Sequence, residues 1–160
     1  MDTFDIHYRF AFDGNLKVAY TLKLDSYTLE LKNPPSQVLP DWTCLEFQQC
    51  PNCPLRQETS PRCPVAENLE PLITGELGDL SSYTDVHLEV ITEQRTVSSR
   101  TTLQRGISSL SGLIMATSAC PHTRFLRPMA RFHLPLATDE ETTYRAASMY
   151  LLGQYFLYQD

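Results

Sequence analysis

No run of about 18 apolar residues occurs anywhere in this chain of 160, so nothing in it reads as a helix that crosses a bilayer. Its opening, Met-Asp-Thr-Phe-Asp, lacks the basic stretch and apolar core of a secretory leader. The most legible catalytic signatures are missing as well: a Gly-rich phosphate loop, a dinucleotide fingerprint, a His-Glu-x-x-His pair and a Ser-His-Asp order. These absences count against a familiar enzyme and point to an intracellular, cytoplasmic protein without a membrane role. There is no internal repeat and no low-complexity segment. With 42% apolar residues, a chain of 160 has enough material for one domain with its own core.

Charge is absent in blocks. All three lysines, Lys17, Lys23 and Lys32, precede residue 33, and no acidic residue occurs between Gln94 and Thr138. Arg95, Arg100, Arg105, Arg124, Arg127 and Arg131 all fall in that acid-free stretch. A net charge of −6 argues against a general nucleic-acid coat or a polybasic membrane binder. The cationic segment could serve a small anionic ligand, with Arg124, Arg127 and Arg131 as the anion-binding candidates. Arginines three to four apart in a partly extended loop can converge on one anion. Their alternative is internal pairing with carboxylates such as Asp139, Glu140 and Glu141.

What is present is a set of thiols. Of five cysteines, four are each followed by proline: Cys50-Pro51, Cys53-Pro54, Cys63-Pro64 and Cys120-Pro121. An odd count in a reducing compartment speaks for ligands, reactive thiols or small buried hydrophobes rather than a disulfide framework. Cys50 and Cys53 have the C-x-x-C spacing that lets two thiolates reach one metal, Cys63 follows after a short loop, and Cys120 is the remote fourth. Zinc knuckles favour glycine after the second cysteine, where positive φ and N–H groups aimed at sulfur are needed. Pro54 supplies neither. Cysteine followed by proline suits a [4Fe–4S] cluster, the ring holding the chain extended away from it. The expected ligands are therefore Cys50, Cys53, Cys63 and Cys120 around a [4Fe–4S] cluster, with zinc as the alternative cofactor and unligated buried thiols as the bland reading.

Cys44, followed by leucine, reads as packing beside Trp42, and His122 as a surface or hydrogen-bonding residue; either is an alternative ligand. A nucleophilic Cys120 fails on spacing. A C-x5-R phosphate loop would place arginine at position 126, which is Leu126, and a thiolate at the C-terminal end of a helix opposes the helix dipole.

The chain divides into N-terminal strands (1–33), a cysteine- and proline-rich loop (34–64) and a mixed helical and extended region (65–160). Phe4, Ile6, Tyr8, Phe10 and Phe12, then Leu16, Val18, Tyr20, Leu22 and Leu24, alternate on either side of Asp13-Gly14-Asn15, a hairpin signal. Residues 27–32 suggest a third short strand. Pro64 opens a helix expected to reach about Leu77 and to be kinked or shortened by Pro71. Val86, Leu88 and Val90 suggest a fourth strand extending toward Val97. A helix is expected over about 102–117, loop and extended chain over 122–135, and a terminal helix opened by a Thr138-to-Glu141 capping box. On that helix Tyr144, Ala147, Leu151 and Tyr155 form one face, and Tyr144, Tyr150, Tyr155, Phe156 and Tyr158 read as core and packing residues, with a partner or self-association patch as the alternative for Tyr150, Phe156 and Tyr158. The fold class is α+β: an antiparallel sheet built on the first hairpin, packed by two or three helices, with a cysteine-rich loop.

The segments Cys50-Pro-Asn-Cys-Pro-Leu55, Ser118-Ala-Cys-Pro121, Arg127-Pro-Met-Ala-Arg-Phe-His-Leu-Pro135 and Tyr150-Leu-Leu-Gly-Gln-Tyr155 resemble a family of small bacterial proteins carrying a domain of unknown function. The resemblance spans nearly the whole chain. It implies a bacterial source and no established activity, and so transfers no catalytic residue. Three functional readings follow from the residues: a cluster protein in a redox, sensing or structural role with a protein redox partner, a zinc-stabilised binding module whose arginine segment engages an anionic ligand or protein, and an enzyme acting on a phosphorylated substrate at that segment.

Overall fold

Apolar and polar residues that alternate with period two give a strand one buried and one solvated face, and two N-terminal strands are built this way: β1, Thr3–Ala11, and β2, Lys17–Asp25. The computed structural model describes residues 2–13 and 17–159. Gly14 and Asn15 of the expected turn, and Leu16, lie outside the described residues. The two strands pair antiparallel, with Ile6 opposite Leu22, Tyr8 opposite Tyr20 and Phe10 opposite Val18. Cross-strand partners therefore share a face. β3, Asp85–Ile91, lies on the other side of β1, and β4, Thr96–Thr102, closes the order β2-β1-β3-β4, every neighbour antiparallel.

One face of this sheet carries the core: Ile6, Tyr8 and Phe10 from β1, Leu22 and Leu24 from β2, Val86, Leu88 and Val90 from β3, all buried. Each such side chain is worth about 1.5–3 kcal/mol when removed from water. The cover is α2, Leu103–Thr117, which buries Leu103, Leu110, Leu113 and Ile114 at helical spacing, with α1, Pro64–Ile73, against its side. α2 reaches the sheet through Gly106. A Cβ there would stand 2.7 Å from Cε1 of the Phe10 ring, which is fully buried and cannot swing away.

Several elements differ from the sequence expectation. The third strand over 27–32 reduces to a single bridge, Leu24 to Leu31. Asp25 ends the pairing there: its carboxylate accepts the amides of Thr28 and Tyr27, which hold it below the usual carboxylate range, and Leu29 turns the chain with φ 59°. α1 stops at Ile73 rather than near Leu77. Gly75 then follows so closely that a Cβ would lie 2.4 Å from the Pro71 carbonyl oxygen. The expected fourth strand is two, β3 and β4, joined by a turn in which the Thr92 amide donates to the Arg95 carbonyl. β4 is an edge strand rich in Ser and Thr, so it needs no apolar alternation. The segment 122–135 is helical in two short pieces, a 3-10 turn over Arg124–Leu126 and α3, Pro128–Arg131, the latter opened by proline at its first position. The terminal helix α4, Asp139–Gln159, has its capping box: the Glu141 amide donates to Thr138 Oγ1 and the Thr138 amide to Glu141 Oε2. Its expected core face is not one. Tyr144, Ala147, Leu151 and Tyr155 are exposed, as are Tyr150, Phe156 and Tyr158, which also read as core, and no described residue of α4 is buried.

Beneath the junction of α2, α3 and α4 runs a polar chain. The Leu136 amide donates to Ser109 Oγ (3.1 Å), Ser109 lies 3.0 Å from the Tyr8 hydroxyl, and that hydroxyl is 2.5 Å from His133 Nε2. A neutral His133 with unprotonated Nε2 lets every donor find an acceptor: Leu136 to Ser109, Ser109 to Tyr8, Tyr8 to His133. Burial holds the Tyr8 phenol above its ordinary range, so it stays a donor. Burial, and then the nearby Arg145 charge, push His133 down to about 4.

Two outcomes follow. Gly106→Ala, measured by urea unfolding, lowers stability by about 1–3 kcal/mol through overpacking on Phe10, although alanine is the better helix former by about 1 kcal/mol. His133 binds its proton less readily in the folded than in the unfolded chain, where its value is about 6.5. Its contribution to stability is thus complete above pH about 6.5 and is lost as pH falls toward 4, on the order of 3 kcal/mol in all. Unfolding curves across that window should show His133→Gln losing this share of the pH dependence.

Candidate metal centre

The cysteine-rich segment connects the Leu31 bridge to α1 with little secondary structure of its own. It contains one 3-10 turn, Asp41–Thr43, and its buried residues are Thr43 and Leu45. What orders its base is Arg62. The guanidinium donates to the Pro40 carbonyl (2.9 Å) and to the hydroxyl of the fully buried Thr43, and lies 3.7 Å from Cys44 Sγ. Backbone bonds from Leu45 to Pro61 and from Cys63 to Thr43 close the base as a short antiparallel contact. Cys44 sits inside this clamp, as a packing residue would.

Cys63 is the N-cap of α1, and its side chain makes no capping hydrogen bond. The first-turn N–H groups of the helix are thus not capped by its sulfur, and a helix N-terminus favours an anionic occupant. Cys50 and Cys53 lie at the far tip of the loop, in a turn closed by the Cys53 amide on the Cys50 carbonyl (2.9 Å). Cys50 is exposed; Cys44, Cys53, Cys63 and Cys120 are half-buried, and all five are free thiols.

Cys120 follows α2, which ends at Thr117. Thr123 Oγ1 folds back onto the Met115 carbonyl (2.7 Å) and the Thr123 amide onto that of Cys120 (3.3 Å). The loop so formed places His122 Nε2 3.0 Å from the Asn52 carbonyl, inside the Cys50-x-x-Cys53 turn. Residues 70 apart in sequence thereby join the remote cysteine loop to the clustered one. That bond uses one of the two ring nitrogens of His122. Among the described residues no three His, Cys, Asp or Glu side chains converge closely enough to hold a single metal ion.

The arginines have different surroundings. Arg127 pairs with Glu30 (2.8 Å) and donates to the Ser118 carbonyl (3.0 Å), linking the turn after β2 to the end of α2. The Arg131 guanidinium lies 5.2 Å from the centre of the Phe4 ring. Arg124 is exposed on the 3-10 turn. The carboxylate that takes Arg127 is Glu30 rather than Asp139, Glu140 or Glu141. Sequence reasoning passed over Arg62 and Asn52, whose only signals were their places beside Cys63 and between Cys50 and Cys53.

Arg62→Met should leave the fully buried Thr43 hydroxyl without its donor and free the base of the loop. A loss of about 1–3 kcal/mol is expected, read as a lower thermal midpoint, with the sheet's circular dichroism retained at low temperature.

No curated protein and no solved structure matches the chain. The two tied cysteine loops, the terminal helix and all of the sheet but the first residues of β1 lie within residues 6–160, and over that span the chain matches a family model; it belongs to the DUF6901 family, a domain of unknown function.

Proposed function

We propose that this chain is a small cytoplasmic metal protein that carries a cysteine-ligated [4Fe–4S] cluster in a redox, sensing or structural role. The observation that carries this reading is the hydrogen bond between His122 and Asn52, which sets the Cys120 loop against the Cys50-x-x-Cys53 turn. Chance packing of two loops gives no reason for each to present cysteine followed by proline. Cys63 would bring the N-terminal turn of α1 to the anionic cluster. A long, weakly cored segment gains order when its side chains close on a metal.

Anaerobic purification followed by a visible spectrum and metal analysis of one sample tests this directly. Iron and sulfide with a broad brown absorption are expected. Cys63→Ser and Cys120→Ser should each lose most of the bound metal and lower the thermal midpoint, whereas Cys44→Ser, altering a residue of the Arg62 clamp, should keep it. A colourless protein with one equivalent of zinc would replace the cluster by a structural zinc site, and a metal-free protein would end the reading.

A further inference from the structure

α4 has the composition of an element that belongs inside something. Residues 146–159 carry no charge, and Tyr150, Leu151, Leu152, Tyr155, Phe156, Leu157 and Tyr158 are all more than half exposed. At about 150–250 Å² per aromatic side chain they leave on the order of 800 Å² of side-chain surface in water. A monomer rarely shows a contiguous apolar patch of more than a few hundred Å². Apolar residues on every side of a helix call for cover on more than one side.

The same chain has a groove to match. A cavity of about 580 Å³ opens between α2, α3 and the start of α4. Along its α2 wall Ser108, Gly112 and Ala116 recur at every fourth residue, with Leu113, Met129 and Leu134 beside them. Small residues at that spacing let another helix approach closely. Gly112 costs α2 about 1 kcal/mol relative to alanine, and no close contact within the chain accounts for it: a Cβ there meets nothing within 4 Å, in contrast to Gly106 against Phe10. Gly153, in the middle of the uncharged half of α4, is equally unexplained by its surroundings.

The helix that could fill the groove cannot be the chain's own α4, because Asp139, Thr142 and Arg145 of its first turns already form one wall. We infer that the groove takes the uncharged half of α4 from a second copy of this chain, each protomer giving its helix and receiving the other's across a two-fold axis. The lengths agree. The α2 wall from Arg105 to Ala116 runs roughly 18 Å and residues 146–159 roughly 21 Å, at 1.5 Å per residue. The area agrees as well, since a standard interface covers about 800 Å² per partner. A lipid surface is a poorer occupant. A helix lying on one carries Lys and Arg on a polar face, whereas α4 opens with Asp139, Glu140 and Glu141, and its one cation, Arg145, is bonded to the Met129 and Phe132 carbonyls.

Sedimentation velocity with the 160-residue chain at micromolar concentration reads the outcome. The wild type should run at twice 18.2 kDa. Gly112→Leu and Ser108→Gln fill the groove, and Leu152→Glu charges the helix; each should weaken the dimer at least tenfold with an unchanged far-ultraviolet spectrum, because all three positions are exposed in the protomer. A monomeric wild type overturns the inference, whether or not it binds anionic lipid vesicles. So does a dimer broken by Leu152→Glu but indifferent to both groove variants, since the helices would then pair with each other and not with the groove.

Discussion

The rest of the molecule depends on how closely α2 can approach the sheet, and Gly106 sets that distance. With no side chain there, the Phe10 ring occupies the helix surface directly, in a space where a Cβ would be 2.7 Å away. Interiors are packed as densely as molecular crystals, so such a contact cannot be relaxed without moving the helix. α2 is also the element on which the later features hang. Ser109 anchors the polar chain to Tyr8 and His133, Gly112 opens the groove, and the turn after Thr117 carries Cys120 to the cysteine loop. A helix displaced by an ångström would disturb all three.

Around that contact the chain uses two different means of ordering. Sheet and helices are held by apolar burial. The long connections are held by a few polar ties instead: Arg62 to Pro40 and Thr43, Glu70 to Ser36 and Thr74, Arg127 to Glu30 and Ser118, His122 to Asn52. Each tie is worth about 1 kcal/mol net, though its loss inside the fold costs more. Burial of Glu70 follows from this arrangement, because both of its carboxylate oxygens accept hydroxyl protons. A cluster bound by the thiols would act on the same irregular segment, adding order where the apolar core does not reach.

Much of the fold was legible because burial writes a period into the sequence. β1, β2 and β3 show alternation, α2 shows Leu103, Leu110 and Ile114 on one face, and the Thr138–Glu141 box marks the start of α4. β4 was not legible as a separate strand, because an edge strand of Ser and Thr has no apolar rhythm to betray it. The short helices over 124–131 were hidden for the opposite reason: proline at residue 128 reads as a break, yet it opens a helical turn well. In the cysteine region the residue types and their proline neighbours were visible. The partners that position them were not, since Arg62, Asn52 and Glu30 make contacts to residues far along the chain, where no local pattern points.

The sequence by itself determined the elements whose stabilising residues are neighbours: strands from their alternation, helices from their stripes and caps, and the four thiols as a set from their shared proline. Only the tertiary structure decided which surfaces those elements leave open and which distant loops they join. Local spacing places a side chain on a face, but what covers that face depends on packing across the whole fold. The aromatic residues of α4 show the difference: their helical spacing reads as a core-forming face, while the packing of α2 and α3 leaves them outside the core of their own chain.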